Sequence, residues 1–264
     1  DHIIAAAPEL ASLRWMTTTA NAPGRPASSS SPDLSSTSLA YLQYTSGSTG
    51  SPKGIMVRHR DLMANCRMGA AVMGSEPTTA VLWTPLFHDL GLMSLLHQLW
   101  LGGRVVMLSA AAFAQSPIRW LRAIDHFRAD RSGGPNFAYD LCVDQIAPEE
   151  RRDLDLSTWR IAYSGAEPVR LRTLRRFVDA FATTGFPPHA LAPAYGLAEA
   201  TVLVTVDTRN APLRTLRVER SALESRSAIG ATPVMSERES EHSDDLVSVG
   251  SAILDEQLRI VDPE

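Results

Sequence analysis

From Ala80 to Val206 short apolar runs alternate with longer stretches of helical periodicity, and this alternation restricts the fold more than any other feature. Ala80–Thr84, Arg104–Leu108, Ala129–Ser132, Trp159–Tyr163, Ala190–Tyr195 and Ala200–Val206 read as strands. Leu90–Leu101, Pro117–Phe127, Asn136–Ile146 and Arg170–Phe181 read as helices. The first closes on Gly102-Gly103 and the second carries proline in its first turn. Strand and helix in turn, at these lengths, predict an α/β chain: a parallel β-sheet flanked by helices. With 264 residues, 44% of them hydrophobic, the chain has material for a substantial core.

Ahead of the alternation lies Tyr44-Thr45-Ser46-Gly47-Ser48-Thr49-Gly50-Ser51-Pro52-Lys53-Gly54. Glycines let backbone N–H groups turn toward an anion, and Ser and Thr hydroxyls add rotatable donors. Lys53 adds a compact positive charge. It is the single lysine in the chain, beside 24 arginines. A flexible Ser/Gly connector is the bland alternative, but it explains neither the Pro-Lys-Gly ending nor the strand before it. The stretch is not a Walker A motif, because Gly50 is followed by Ser-Pro-Lys-Gly. Leu39–Tyr44 and Ile55–Val57 read as strands on either side, so the loop joins a hairpin rather than opening a helix. Residues 59–73 follow with Leu62, Met63, Cys66, Ala70 and Met73 at helical spacing.

A net charge of −4 makes nucleic acid an unexpected partner, and no apolar run is long enough to predict a membrane span. Cys66 and Cys142 sit in apolar contexts and read as buried free thiols of a reducing compartment, the cytoplasm. The first residues lack a basic n-region and read as a cut into a longer chain rather than a signal peptide. Four regions are expected. Residues 1–38 form a Pro/Ser-rich connector that includes a short helix-to-strand stretch at 8–20. Residues 39–206 form the α/β core. Residues 207–246 form a polar, mobile insertion, and residues 247–264 begin a truncated β-rich tail with strand character at Val247–Gly250 and Gln257–Val261.

Four further stretches fall at expected strand ends, where open α/β sheets bind ligands. In Thr84–Leu92, His88 either contacts an anion or packs beneath a helix that Asp89 caps. In Ser132–Asp140, Gly133-Gly134 admits a ligand or makes a tight turn. In Tyr163–Pro168, Gly165 presses backbone against a flat ring while Glu167 lines the site or favours a helix start. In Tyr195–Thr201, Tyr195 can stack on a heteroaromatic base and Glu199 can hold Mg²⁺ against phosphates.

Tyr44–Gly54, Pro85–Leu92 and Tyr195–Thr201 together resemble the adenylate-forming superfamily of acyl-CoA ligases, luciferases and peptide-synthetase adenylation domains. Gly133–Cys142, Ser164–Val169 and alanine at 198 resemble its fatty acyl-AMP ligases in particular, which carry an insertion where 207–246 falls. The resemblance implies ATP and Mg²⁺ as cofactors, with Thr45, Ser46, Gly47, Ser48, Thr49, Gly50 and Lys53 on the β,γ-phosphates. It implies Gly165, Ala166, Glu167, Tyr195 and Gly196 around adenine, and Glu199 on the metal. His88 would stand between acyl tunnel and acyl phosphate, and Gly134, Asn136, Phe137 and Asp140 along the tunnel. Ala198 departs from the superfamily's threonine, so the α-phosphate contact falls to Thr201 or to backbone. Implied partners are a medium- or long-chain fatty acid and the phosphopantetheine thiol of an acyl carrier protein; the implied enzyme is a cytoplasmic monomer. The resemblance makes the chain a piece of the large N-terminal domain, expected to form no acyl-AMP alone. An acyl-CoA ligase with the same first half-reaction, or a non-catalytic nucleotide-binding scaffold, are the competing readings.

Overall fold

The structure is a computed structural model that describes residues 33–45, 52–208, 212–219, 243–259 and 261. Every element below belongs to the unit Ser35–Glu264. The expected helix-to-strand stretch at 8–20 lies outside the described residues, as do Ser46–Ser51 and most of the 207–246 segment.

A hairpin comes first. β1 (Leu39–Thr45) pairs antiparallel with β2 (Lys53–Arg58), from Leu39 opposite Arg58 to Thr45 opposite Lys53. Helix α1 (His59–Met73) leaves β2 directly, and Asp61 accepts a hydrogen bond from the Arg58 backbone N–H at its start. The alternation then unfolds as β3 (Thr79–Leu82), α2 (Asp89–Trp100), β4 (Arg104–Met107), α3 (Ala110–Gln115) and α4 (Ile118–His126). It continues as β5 (Arg131–Gly134), α5 (Asn136–Gln145), α6 (Pro148–Arg151), β6 (Ile161–Ser164), α7 (Leu171–Ala180), β7 (Leu191–Gly196) and β8 (Leu203–Val206). β9 (Thr215–Glu219), β10 (Ser243–Val247) and β11 (Ser251–Ala252) complete it.

Among the described residues the main sheet runs β11-β8-β7-β6-β5-β3-β4. Neighbours from β4 to β7 are parallel, whereas β8 and β11 join antiparallel. The expected parallel sheet is therefore present, with an antiparallel margin. Each strand sends alternate side chains to opposite faces. In β6, Ala162 enters a large aromatic core while Ile161 and Tyr163 face the other side. That core lies under α3, α4, α5 and α7. Trp120 is its centre, with ring centroids 5.3 Å from Trp159, 5.6 Å from Phe113 and 5.7 Å from Tyr139. The Trp120 indole N–H donates to Ser132 Oγ at 2.7 Å, so its one polar group is satisfied without water. Helices α1 and α2 cover the opposite face.

Three expectations need correction. The fifth strand is Arg131–Gly134, not Ala129–Ser132, and its glycines are not a turn. A Cβ on Gly133 would meet Tyr163 O at 2.1 Å and one on Gly134 would meet the Trp83 ring at 2.4 Å. Glycine is there for close packing inside the sheet. The 207–246 segment is not structureless throughout, because Thr215–Glu219 and Ser243–Val247 pair antiparallel, with Leu216 opposite Leu246. Finally, the described part of Gln257–Val261 is irregular, and the short strand near the end is Ser251–Ala252 on β8. Both cysteines are buried free thiols, as expected. Burial pushes Cys66 up to about 11 and Cys142 further.

Candidate functional site

Four of the singled-out stretches follow strands of the main sheet at its C-terminal rim: those after β3, β5, β6 and β7. Between β3 and α2, Pro85–His88 forms a turn in which the His88 N–H donates to Pro85 O at 3.1 Å. His88, not Asp89, holds the N-cap position of α2. The His88 Nδ1 lies 2.7 Å from Asp89 Oδ1, which also accepts from the Leu90 N–H at 2.6 Å. The Leu90 N–H also lies 3.2 Å from His88 Nδ1, but a nitrogen that donates to the carboxylate cannot accept, so Asp89, the first residue of the helix, takes that N–H while His88 is oriented by it. That hydrogen bond holds the His88 imidazole above its ordinary pKa, against the opposing effect of burial. Nε2 is the nitrogen left to meet a ligand, and it becomes a donor when the ring is protonated.

The hairpin is tied to this turn by Gln43, whose buried Nε2 donates to Phe87 O at 2.9 Å. Thr45 and Lys53 lie opposite each other at the loop end of the hairpin. Ser46, Gly47, Ser48, Thr49 and Gly50 lie outside the described residues.

A second turn, Leu197–Val202, links β7 to β8 and carries Glu199 on its exposed side. The Leu197 N–H donates to Val202 O at 2.9 Å. Gly196 lets the two strands close, since a Cβ there would meet Val202 O at 2.0 Å. Thr201 is buried with φ of 73°, and Ala166 at the end of β6 has φ of 65°. Both are left-handed conformations that cost an L-residue energy, held by the surrounding structure. For Thr201 the restraint is Asn65 of α1. Asn65 Nδ2 donates to Ala200 O at 3.2 Å and Leu203 O at 2.9 Å, and Asn65 Oδ1 accepts from the Leu203 N–H at 3.2 Å. We predict that Asn65→Ala costs about 1–3 kcal/mol, because these buried backbone groups lose their partners. Urea unfolding checks it, and an unchanged midpoint would show that the turn holds itself.

Under the rim lies a cavity of about 280 Å³ between α1, α2 and the sheet. At its mouth stand His88, Gly165, Ala166, Tyr195 and Gly196; its walls are mainly apolar, among them Leu82, Met93 and Val206. Tyr195 is half exposed, its ring free for a flat ligand. The structure thus brings His88, Gly165, Ala166, Tyr195 and Gly196 to one opening. Thr201 is packed inside the neighbouring turn.

Gly134, Asn136, Phe137, Asp140 and Glu167 do not line this cavity; they knit α5 to the β6–α7 connection. Glu167 Oε1 accepts from the Phe137 N–H at 2.6 Å, so its carboxylate serves the start of α5. Asn136 Nδ2 donates to Ser164 Oγ at 3.4 Å, and Asn136 Oδ1 accepts from the Arg170 N–H at 3.2 Å. Asp140 accepts from Thr173 Oγ1 at 2.6 Å and pairs with Arg176. Phe137 lies edge-on to Trp83. Among the described residues no three His, Cys, Asp or Glu side chains gather as a preformed metal cluster. Glu199 is a single exposed carboxylate, an oxygen donor of the kind hard cations accept. No helix among the described residues is long and apolar enough to cross a membrane.

The family model of AMP-binding enzymes matches residues 2–264. A medium-chain-fatty-acid–acyl-carrier-protein ligase of Moorena producens is 42% identical over 234 residues, covering 88% of this chain and 39% of that protein. A ligase of the same description from Teredinibacter turnerae is 38% identical over 227 residues, covering 85% of this chain and 34% of that protein. The crystal structure of a fatty acyl-adenylate ligase of L. pneumophila, in complex with acyl adenylate and pyrophosphate, superposes with a TM-score of 0.73 at 38% identity. It is matched over 83% of this chain and 38% of its own. The chain therefore spans less than half the length of the relatives it matches.

Proposed function

We infer, from the premise that this chain belongs to the family of AMP-binding enzymes, that the full-length protein activates a fatty acid. The carboxylate attacks the α-phosphorus of ATP in line, forming the acyl–phosphate bond of an acyl-AMP and expelling pyrophosphate. The thiol of an acyl carrier protein then attacks the acyl carbonyl and expels AMP. The observation that carries the reading is the union of His88, Gly165, Ala166 and Tyr195 at the mouth of one apolar cavity.

In this reading the loop between Thr45 and Lys53 wraps the β,γ-phosphates, with Thr45, Ser46, Gly47, Ser48, Thr49, Gly50 and Lys53 as donors. Little covalent work falls to the protein, because the barrier is mainly repulsion between anions. Positioned donors and cations reduce it. Adenine lies over Gly165, Ala166 and Gly196 with Tyr195 against its face. Glu199 holds Mg²⁺, which when bound neutralises charge on the phosphates. His88 Nε2 faces the carboxylate end of the acid at the cavity mouth, oriented from behind by Asp89. Thr201 does not donate its hydroxyl; its left-handed backbone sets the turn that presents Glu199. Glu167 acts by tying α5 to the β6 end, next to Ala166, rather than by touching the nucleotide. The domain boundaries follow the same plan, with 39–206 as the nucleotide- and acyl-binding core and 207–246 as an inserted segment.

The 38% identity to an acyl-adenylate-bound ligase and the medium-chain ligases among the relatives support the substrate class. Exchange of labelled pyrophosphate into ATP, driven by decanoate, tests it on the full-length protein. Fatty-acid-dependent exchange is the expected result; exchange driven by amino acids and not by fatty acids would refute it.

A further inference from the structure

The cavity that begins at His88 does not end on hydrocarbon. The geometry points to a second recognition point at its inner end, formed by Arg131 and His97, that takes a hydrogen-bonding group at the far end of the substrate chain, an ω-hydroxyl above all. This rests on the acid-activating reading above.

Helix α2 runs down the cavity wall. Leu90, Met93, Ser94 and His97 recur at the i, i+3, i+4, i+7 spacing that puts side chains on one helix face, and all four line the cavity. His97 is only 8% exposed, and its Nε2 has no hydrogen-bond partner. Across from it Arg131, at the start of β5, is 6% exposed. Its Nη2 donates to Met73 O at 2.8 Å and Gly74 O at 3.1 Å, which fixes the guanidinium against the end of α1. Its Nε and Nη1 have no partner. Gly69 lets α1 pack directly on the imidazole, since a Cβ there would come 2.9 Å from His97 Nε2.

Buried polar nitrogens without partners are rare and costly, and an apolar chain end leaves them so. A hydroxyl offers one proton and two lone pairs. It can accept from Arg131 and donate to His97 Nε2, because burial and the neighbouring Arg131 charge hold His97 down to about 4, so the ring is neutral. The two ends of the cavity are separated consistently on both of its walls. Arg131 pairs with Ile161, four residues before Gly165, which is about 13 Å of strand. His88 and His97 stand nine residues apart, about 13 Å of helix. That span holds on the order of ten C–C bonds of about 1.5 Å each, shortened by their zigzag.

The test compares decanoate with its ω-hydroxy derivative in pyrophosphate exchange by the full-length protein, as wild type, Arg131→Met and His97→Leu. The wild type should favour the ω-hydroxy acid at least tenfold in kcat/KM. Arg131→Met should reduce that ratio at least tenfold, and His97→Leu should reduce it too. A ratio of two acids in one preparation does not depend on how much of a variant is folded. A wild-type ratio at or below one, or a ratio untouched by both substitutions, overturns the proposal and means water satisfies the floor. Exchange with decanoate but without ω-discrimination defeats this inference alone. No exchange with either acid defeats the functional reading, and the inference with it.

Discussion

Glu199→Gln in the full-length protein is expected to lower fatty-acid-dependent pyrophosphate exchange by about 10²- to 10³-fold, the loss typical of removing one preorganised stabiliser of transition-state charge. The amide keeps the size of the side chain and loses its charge. Glu199 is exposed and no hydrogen bond or ion pair is made by its side chain among the described residues. Stability should therefore stay within about 0.5 kcal/mol of wild type, as for surface substitutions generally. Titrating Mg²⁺ separates the proposed role from a general one. The variant should need more Mg²⁺ for half-maximal exchange, and the acid KM should hardly move. Full exchange at the wild-type Mg²⁺ requirement would remove Glu199 from the reaction.

Trp120→Ala should have the largest effect on stability, about 3–5 kcal/mol, the usual range for deleting a buried Trp. Its ring is fully buried, touches Trp83, Phe113, Tyr139 and Trp159, and its N–H is bonded to Ser132. Natural domains hold only about 5–15 kcal/mol in total, so this one change removes about a fifth of the margin or more. Urea unfolding followed by far-ultraviolet circular dichroism measures it, since fluorescence would lose one of its reporters. Trp120→Phe, which keeps most ring contacts but not the indole N–H, should cost clearly less. Equal losses would mean that the hydrogen bond to Ser132, rather than ring packing, dominates.

The alternation of strands and helices was legible because it depends on near neighbours in sequence, and Leu39–Thr45 and Lys53–Arg58 were found as a hairpin for the same reason. Gly133-Gly134 was misread because glycine signals a turn locally, whereas here it answers the Trp83 ring and a neighbouring strand. Residues whose role depends on partners far along the chain were missed. Asn65 reaches Ala200 and Leu203, 135 and 138 residues away. Nothing in 59–73 announces that, except a buried amide on a helix face otherwise small or apolar. His97 and Arg131 fall within the expected helix Leu90–Leu101 and strand Ala129–Ser132, where nothing local sets them apart; only the fold brings both to the lining of one cavity. The β9–β10 pairing escaped because its strands are polar and separated by a long segment, although Leu216 and Val218 alternate as a one-sided strand should.

The sheet's two faces are built to opposite tolerances. One is filled by interlocked rings, where any change of volume is felt at once; the other is backed by a hollow whose walls answer mainly to what occupies it. Diversification of this lineage should therefore be lopsided. On the proposed reading, replacements of apolar cavity-wall residues such as Leu82 and Met93 should shift which acid is chosen at smaller cost to stability than replacements around Trp120. A library confined to the hollow side should yield altered acid preference at far higher frequency than one spread evenly over the interior.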